Sequence, residues 1–252
     1  MARWWGRHHA EFRWQLEAAR LLADPVFYGA GVPRGNGRPV LLLPGFLAGD
    51  YSLHTMAGWL SRMGYTPGTA GFVTNSDCSE RAMERAERRL DEMHAEHGGR
   101  VALVGHSRGG HFARALAARR PDAVSHAVSM GGGLNRQHAI SVPTLAALAV
   151  VRQYHRLTTD RVERRGCLTE TCGCDFVRDY TAPFPDDVRL TSIYSKGDGV
   201  VRWQSCVVDY ADNVEVTGSH VGLAFNRKVY RVLGEALSEP EREARPLSAR
   251  AG

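Results

Sequence analysis

Three polar residues of this chain, Ser107, Asp198 and His220, have the types and order needed for nucleophilic catalysis. A serine hydroxyl is a weak nucleophile, so it needs a base within hydrogen-bond reach and a third group that orients the base. Ser107 lies in Gly105-His106-Ser107-Arg108-Gly109, directly after the apolar run Val101-Ala102-Leu103-Val104 and ahead of a helical stretch from Phe112 to Ala118. Strand, sharp turn and helix together make a nucleophile elbow. Gly105 and Gly109 leave room there for a strained backbone that exposes the hydroxyl at a helix N-terminus. The five-residue string alone is a weak signal; the strand before it and the helix after it supply the context.

Asp198 falls in the loop Ser195-Lys196-Gly197-Asp198-Gly199, after a strand expected at Leu190 to Tyr194. His220 falls in Thr217-Gly218-Ser219-His220, after one expected at Val214 to Val216. Taken singly, an aspartate between glycines reads as a turn residue and a loop histidine as solvent-facing. Taken together they follow the order serine, acid, base, at the sheet edge where open parallel sheets bind ligands. His220 is expected to take the Ser107 proton and return it to a leaving group, while Asp198 holds the imidazole tautomer. His106 and His111 flank the serine but cannot fold back onto it, so they are read as core or supporting residues, and His54 or His138 as candidates to line a pocket. The expected oxyanion donors are the backbone N–H groups of Arg108, next to the serine, and of Phe46 in Leu43-Pro44-Gly45-Phe46.

The elements that must position these groups alternate. Pro39 to Leu43 is a short apolar run suited to a strand buried on both faces, Ser52 to Met63 a helix, and Tyr65 to Val73 holds a short strand. Ser79 to His97 is a helix with Met83, Ala86, Leu90 and Met93 on one face and Ser79 as its expected cap, and Val124 to Met130 is the next strand. The pattern predicts an α/β fold with a mostly parallel central sheet and helices on both faces. Between Leu134 and Asp187 the alternation stops, which predicts an inserted cap over the active-site edge. The expected organisation is an N-terminal helix and linker over 1–38, a domain over 39–238 with its cap at about 134–187, and a tail over 239–252. Within the first of these, Glu11 to Ala23 reads as a helix with Phe12, Leu16, Ala19 and Ala23 on one stripe. Together with Trp4, Trp5 and Trp14 this leaves open either docking on the core or peripheral membrane contact.

With 252 residues, 43% of them hydrophobic, the chain can bury one substantial core. Its net charge of +5 comes from arginines interspersed with acids, as in Arg81 to Arg89, the pattern of a solvated face rather than a nucleic-acid surface. No secretory signal is recognised in Met1 to Arg7 and no apolar run is long enough to span a membrane, so the expectation is a cytoplasmic protein with reduced thiols. Cys167, Cys172 and Cys174 cluster without the spacing of a zinc site, which leaves a local disulfide, a bridge to Cys206, or plain packing.

Pro44-Gly45-Phe46, the elbow through Gly110, Ser195-Lys196-Gly197-Asp198-Gly199-Val200-Val201 and Gly218-Ser219-His220 together resemble the α/β-hydrolase superfamily, and within it the bacterial lipases and esterases. The similarity runs from about Pro39 to Leu233. One departure is Pro44, where many relatives carry a histidine; it removes a loop hydrogen bond but leaves the Phe46 donor. Residues Asp198 to Trp203, Cys206 and Ser219 to Gly222 are similar to a lipase-like group common in actinobacteria. The resemblance implies hydrolysis of a small-molecule or lipid ester with no metal or organic cofactor. Acyl transfer from the same acyl-enzyme, or a binding protein that kept the fold, are the alternatives.

Overall fold

A computed structural model describes residues 4–158, 168–169 and 173–240. Its centre is a six-stranded parallel sheet of β1 (Pro39–Leu43), β2 (Thr66–Thr69), β3 (Val101–His106), β4 (Val124–Met130), β5 (Arg189–Ser195) and β6 (Asp212–Val216), in spatial order β2-β1-β3-β4-β5-β6. β1, β3 and β4 are buried along their whole length. Side chains alternate across a strand, so Leu41 and Leu43 enter one core and Val40 and Leu42 the other. Each leucine removed from water in this way contributes about 1.5–3 kcal/mol.

Helices cover both faces. On one lie α3 (Ser79–His97), α4 (Arg108–Arg119) and α6 (Asp175–Thr181), through Met83, Leu90, Phe112, Leu116 and Phe176. On the other lie α1 (Trp14–Leu22), α2 (His54–Arg62) and α7 (Arg227–Ser238), through Leu21, Met56, Trp59, Tyr230 and Leu233. Arg119, near the end of α4, reaches Glu80 at 2.9 Å and Glu87 at 3.0 Å on α3 and also pairs with Asp179 on α6, holding that layer together.

Of the segment over 134–187, α6 is part of the body, with Phe176 and Tyr180 buried beside Phe112 and His111. α5 (Val142–Thr158) stands over the sheet edge, its Leu148 and Val151 half-buried and its Val150, Tyr154 and Leu157 exposed. No helix among the described residues is long and apolar enough to cross a membrane.

Three local expectations are corrected. Ser79 does not cap α3; Cys78 occupies the cap position, and the Ser79 hydroxyl instead accepts from Arg108. Cys206 is buried as a free thiol whose pKa burial pushes up, so no bridge forms through it. Cys167 and Cys172 lie outside the described residues, as do 241–252 of the expected tail. The stripe Phe12, Leu16, Ala19 and Ala23 faces outward, with Phe12 77% exposed, while Glu17 and Leu21 face the protein. That helix is shorter than expected, following a 3-10 stretch at His8–Arg13. The cause is that its buried side is occupied by carboxylates bonded to backbone N–H groups, a pattern that apolar periodicity cannot report.

Candidate active site

Parallel pairing brings the C-terminal ends of β3, β5 and β6 to one edge, and the loops leaving them carry the three predicted residues. Ser107 is the single residue between β3 and α4. Its φ of 55° and ψ of −119° are those of a strained turn, adopted here by a residue with a side chain. The elbow is tight enough to demand its glycines. A Cβ on Gly105 would overlap the Gly109 carbonyl, and one on Gly109 would overlap the Leu43 carbonyl of β1. Gly109→Ala is expected to cost about 3 kcal/mol through forced displacement of β1 against α4, read as a fall in Tm by calorimetry. An unchanged Tm would contradict this packing.

The Ser107 hydroxyl lies 2.9 Å from Nε2 of His220, whose Nδ1 lies 2.6 Å from Oδ2 of Asp198. The Asp198 and His220 side chains are 2% and 6% exposed. The other Asp198 oxygen, Oδ1, accepts from the N–H groups of Val200 at 2.8 Å and Val201 at 2.7 Å, which fixes the carboxylate plane. A hydroxyl of Ser195, at the end of β5, donates to the Gly218 carbonyl at 2.6 Å and so ties the acid loop to the base loop. Burial pulls the His220 pKa down, but the Asp198 charge, its hydrogen bond and the Glu11 carboxylate outweigh that and hold it above the ordinary histidine value. An imidazole so arranged accepts a proton at Nε2 with its charged form stabilised at Nδ1.

His106, read as a supporting residue, donates from Nε2 to the His220 carbonyl at 2.9 Å, with ring centroids 5.0 Å apart. Burial, then the neighbouring His220, drive its pKa down to about 4, so it is neutral at pH 7. His111 is likewise held neutral by burial, and with His138 it lines the cleft beside Ser107; His54 does not.

The two residues expected to supply oxyanion donors, Phe46 and Arg108, border the same cleft as the serine. Arg108 stands first in α4, where N–H groups point out of the helix end. Gly45 brings the preceding loop so close that a Cβ there would lie 3.2 Å from the Ser107 Cβ, and Phe46 borders the same cleft. The side chains of two polar residues, Asn75 and Arg108, hold this loop, a role that sequence reasoning missed. Asn75 donates to the Pro44 carbonyl at 2.8 Å and to the Ala48 carbonyl at 2.8 Å, and its own carbonyl accepts from Leu47 at 3.1 Å. The buried Arg108 guanidinium in turn grips the Asn75 carbonyl at 3.1 Å, its Oδ1 at 3.0 Å and the Asp77 carbonyl at 2.7 Å. The only sequence signal was a charged residue inside the elbow. If the Phe46 N–H serves as an oxyanion donor, Asn75→Ala is expected to lower kcat roughly tenfold to a hundredfold with KM nearly unchanged, because its displacement weakens charge stabilisation more than binding. Steady-state kinetics on an ester substrate check this.

A cleft opens over Ser107. Phe46, Ile140, Leu148, Phe176, Val177 and Val201 give it a largely apolar lining, with Arg108, His111, Gln137, His138 and Thr144 among its polar members. Among the described residues, no group of three or more His, Cys, Asp or Glu side chains could hold a metal ion.

A family model described as alpha/beta hydrolase fold matches residues 76–161, from the loop before α3 through the elbow and into the segment after β4. This chain has the α/β-hydrolase fold. Solved α/β-hydrolases superpose on most of its length. A metagenome-derived lipolytic enzyme has 16% identity and a TM-score of 0.56 over 82% of this chain and 94% of that one. The mature form of a Bacillus licheniformis lipase has 12% identity and a TM-score of 0.56 over 83% and 95%. A soluble variant of the monoglyceride lipase of Saccharomyces cerevisiae, in complex with a substrate analog, has 14% identity and a TM-score of 0.56 over 84% and 88%. No curated protein matches the sequence.

Proposed function

We propose that this α/β-hydrolase-fold protein cleaves carboxylic esters of lipid-like acids, with Ser107 as nucleophile, His220 as base and Asp198 as its orienting partner. The observation that carries this is the continuous relay from Ser107 Oγ through His220 to Asp198, opening on an apolar cleft. Ser107 Oγ attacks the ester carbonyl carbon as its proton passes to His220 Nε2, and the carbonyl oxygen becomes an oxyanion facing the Phe46 and Arg108 N–H groups. Collapse breaks the acyl C–O bond, His220 returns the proton to the departing alcohol, and an acyl-Ser107 ester remains. Water, deprotonated by His220, then attacks that ester and regenerates Ser107 with release of the acid. The acyl chain lies along Ile140, Leu148 and Phe176, and α5 acts as the cap. The lipases of similar fold favour the same assignment.

The test is turnover of p-nitrophenyl esters from acetyl to palmitoyl. A rate that rises beyond acetyl supports an acyl-binding cleft; no turnover of any ester by folded protein rejects the proposal. The pH profile is a second expected result. The base must be neutral to accept a proton, and its pKa is raised, so kcat/KM falls as pH drops through a midpoint above 6.5. A midpoint below that value would contradict the charge pairing with Asp198.

A further inference from the structure

The segment over 8–22 turns two carboxylates inward, Glu11 from its 3-10 stretch and Glu17 from α1, and these end on the loops that carry the acid and the base. Glu11 accepts from Gly199, next to Asp198, at 2.9 Å and from His220 itself at 3.0 Å through Oε1, and from Val221 at 2.9 Å through Oε2. Glu17, 8% exposed, accepts from the Ser219 N–H at 2.9 Å and the Ser219 hydroxyl at 2.8 Å. Trp14, between them, packs on Phe225 with ring centroids 5.6 Å apart, past the turn that follows His220. A Cβ on Gly222 would overlap the Glu17 carboxylate, and one on Gly199 would lie 2.9 Å from Glu11 Oε1, so the approach depends on both glycines. Neither glutamate lines the substrate cleft.

We infer that Glu11 and Glu17 are positioning residues of the site: the segment over 8–22 clamps the Asp198 and His220 loops together, and Glu11 adds a negative charge behind the imidazole. This rests on the hydrolase proposed above. Backbone N–H groups that leave bulk water need acceptors, and two carboxylates supply them across loops otherwise joined by the Ser195–Gly218 and His220–Asp198 hydrogen bonds. A shift of about 1 Å between base and nucleophile costs on the order of a hundredfold in rate, which makes such a clamp a catalytic requirement. The other charged or titratable groups around the pair are Asp198 and His106 against the imidazole, Arg7 just before the segment and His8 at its start, and Arg13, Arg20, Arg227 and Lys228 along the groove beside Glu17.

Two readouts test the clamp: the pH-dependent rate of Ser107 labelling by a fluorophosphonate, and the His220 imidazole titration by NMR, each on the whole chain. Glu11→Gln is expected to slow labelling roughly tenfold to a hundredfold, leave KM for p-nitrophenyl acetate near wild type, and move both midpoints to lower pH. Glu11→Asp keeps the charge but shortens the reach, so it slows labelling while its midpoint stays near that of wild type. Glu17→Gln slows labelling with a smaller shift in midpoint. Wild-type labelling rates and titration in all three variants would overturn the inference. So would a rate loss in Glu11→Gln with no downward shift, which marks a merely structural contact. If Glu11→Gln does not fold, Glu11→Asp and Glu17→Gln decide, and wild-type rates in both overturn it. Absence of labelling in wild type, with the His220 titration still displaced in Glu11→Gln, would reject the hydrolase and leave the clamp standing.

Discussion

Ser107→Ala is expected to lower ester turnover on the order of a million-fold, to the level left by binding and the oxyanion donors alone, and to abolish fluorophosphonate labelling. Under the proposed mechanism the magnitude follows from the loss of Oγ: no acyl-enzyme can form, and the hydroxyl that lay 2.9 Å from His220 Nε2 gives way to a methyl group with no proton to give. The fold is expected to survive. Alanine accepts the same φ of 55° no worse than serine, and the Ser107 N–H still donates to the Met130 carbonyl at 2.8 Å. Circular dichroism and Tm are therefore the controls. A folded variant that retains wild-type turnover would place the nucleophile elsewhere.

Asp198→Asn should lower kcat about ten-thousandfold, and raising the pH should not restore it. The particular geometry here makes the outcome sharp. Val200 and Val201 both donate to Oδ1, so the amide oxygen of an asparagine is held on that side and its NH2 group is turned towards His220. A donor facing Nδ1 forces the imidazole hydrogen onto Nε2, where it points at the serine and cannot accept the serine proton. The lost charge also removes the main influence that raises the His220 pKa, so the imidazole stays neutral to lower pH yet in the wrong tautomer. Single-turnover kinetics would show slow acylation. Near-wild-type acylation in Asp198→Asn would mean that Asp198 is a turn residue and no more.

Local signals account for what the sequence disclosed. β4 and α3 have the predicted bounds because apolar strand runs and helical periodicity are written in consecutive residues. Ser107, Asp198 and His220 were legible because each follows a strand in a short loop, so finding the strands located the residues. The short strand expected within Tyr65 to Val73 is Thr66–Thr69, an edge strand with only one neighbour to pair with. The unread contacts are long-range and polar. Asn75 supports the Phe46 loop across 31 positions, and nothing around residue 75 announces it. The inward carboxylates Glu11 and Glu17 defeated the search for an apolar face for the same reason, since their partners are mostly backbone groups, which every residue has.

Glu17 and Ser219 are 202 positions apart, and Glu11 and Val221 are 210 apart. Contacts of such separation close the longest loops in the chain and carry the largest entropic cost of closure, so they contribute last as the polypeptide collapses. The sheet and its helices, from β1 to α7, can thus assemble as one cooperative body before the segment over 8–22 docks. The expected maturation has two steps, with native-like secondary structure arriving ahead of a competent serine. In refolding from denaturant, far-ultraviolet circular dichroism should recover earlier than reactivity of Ser107 towards a fluorophosphonate.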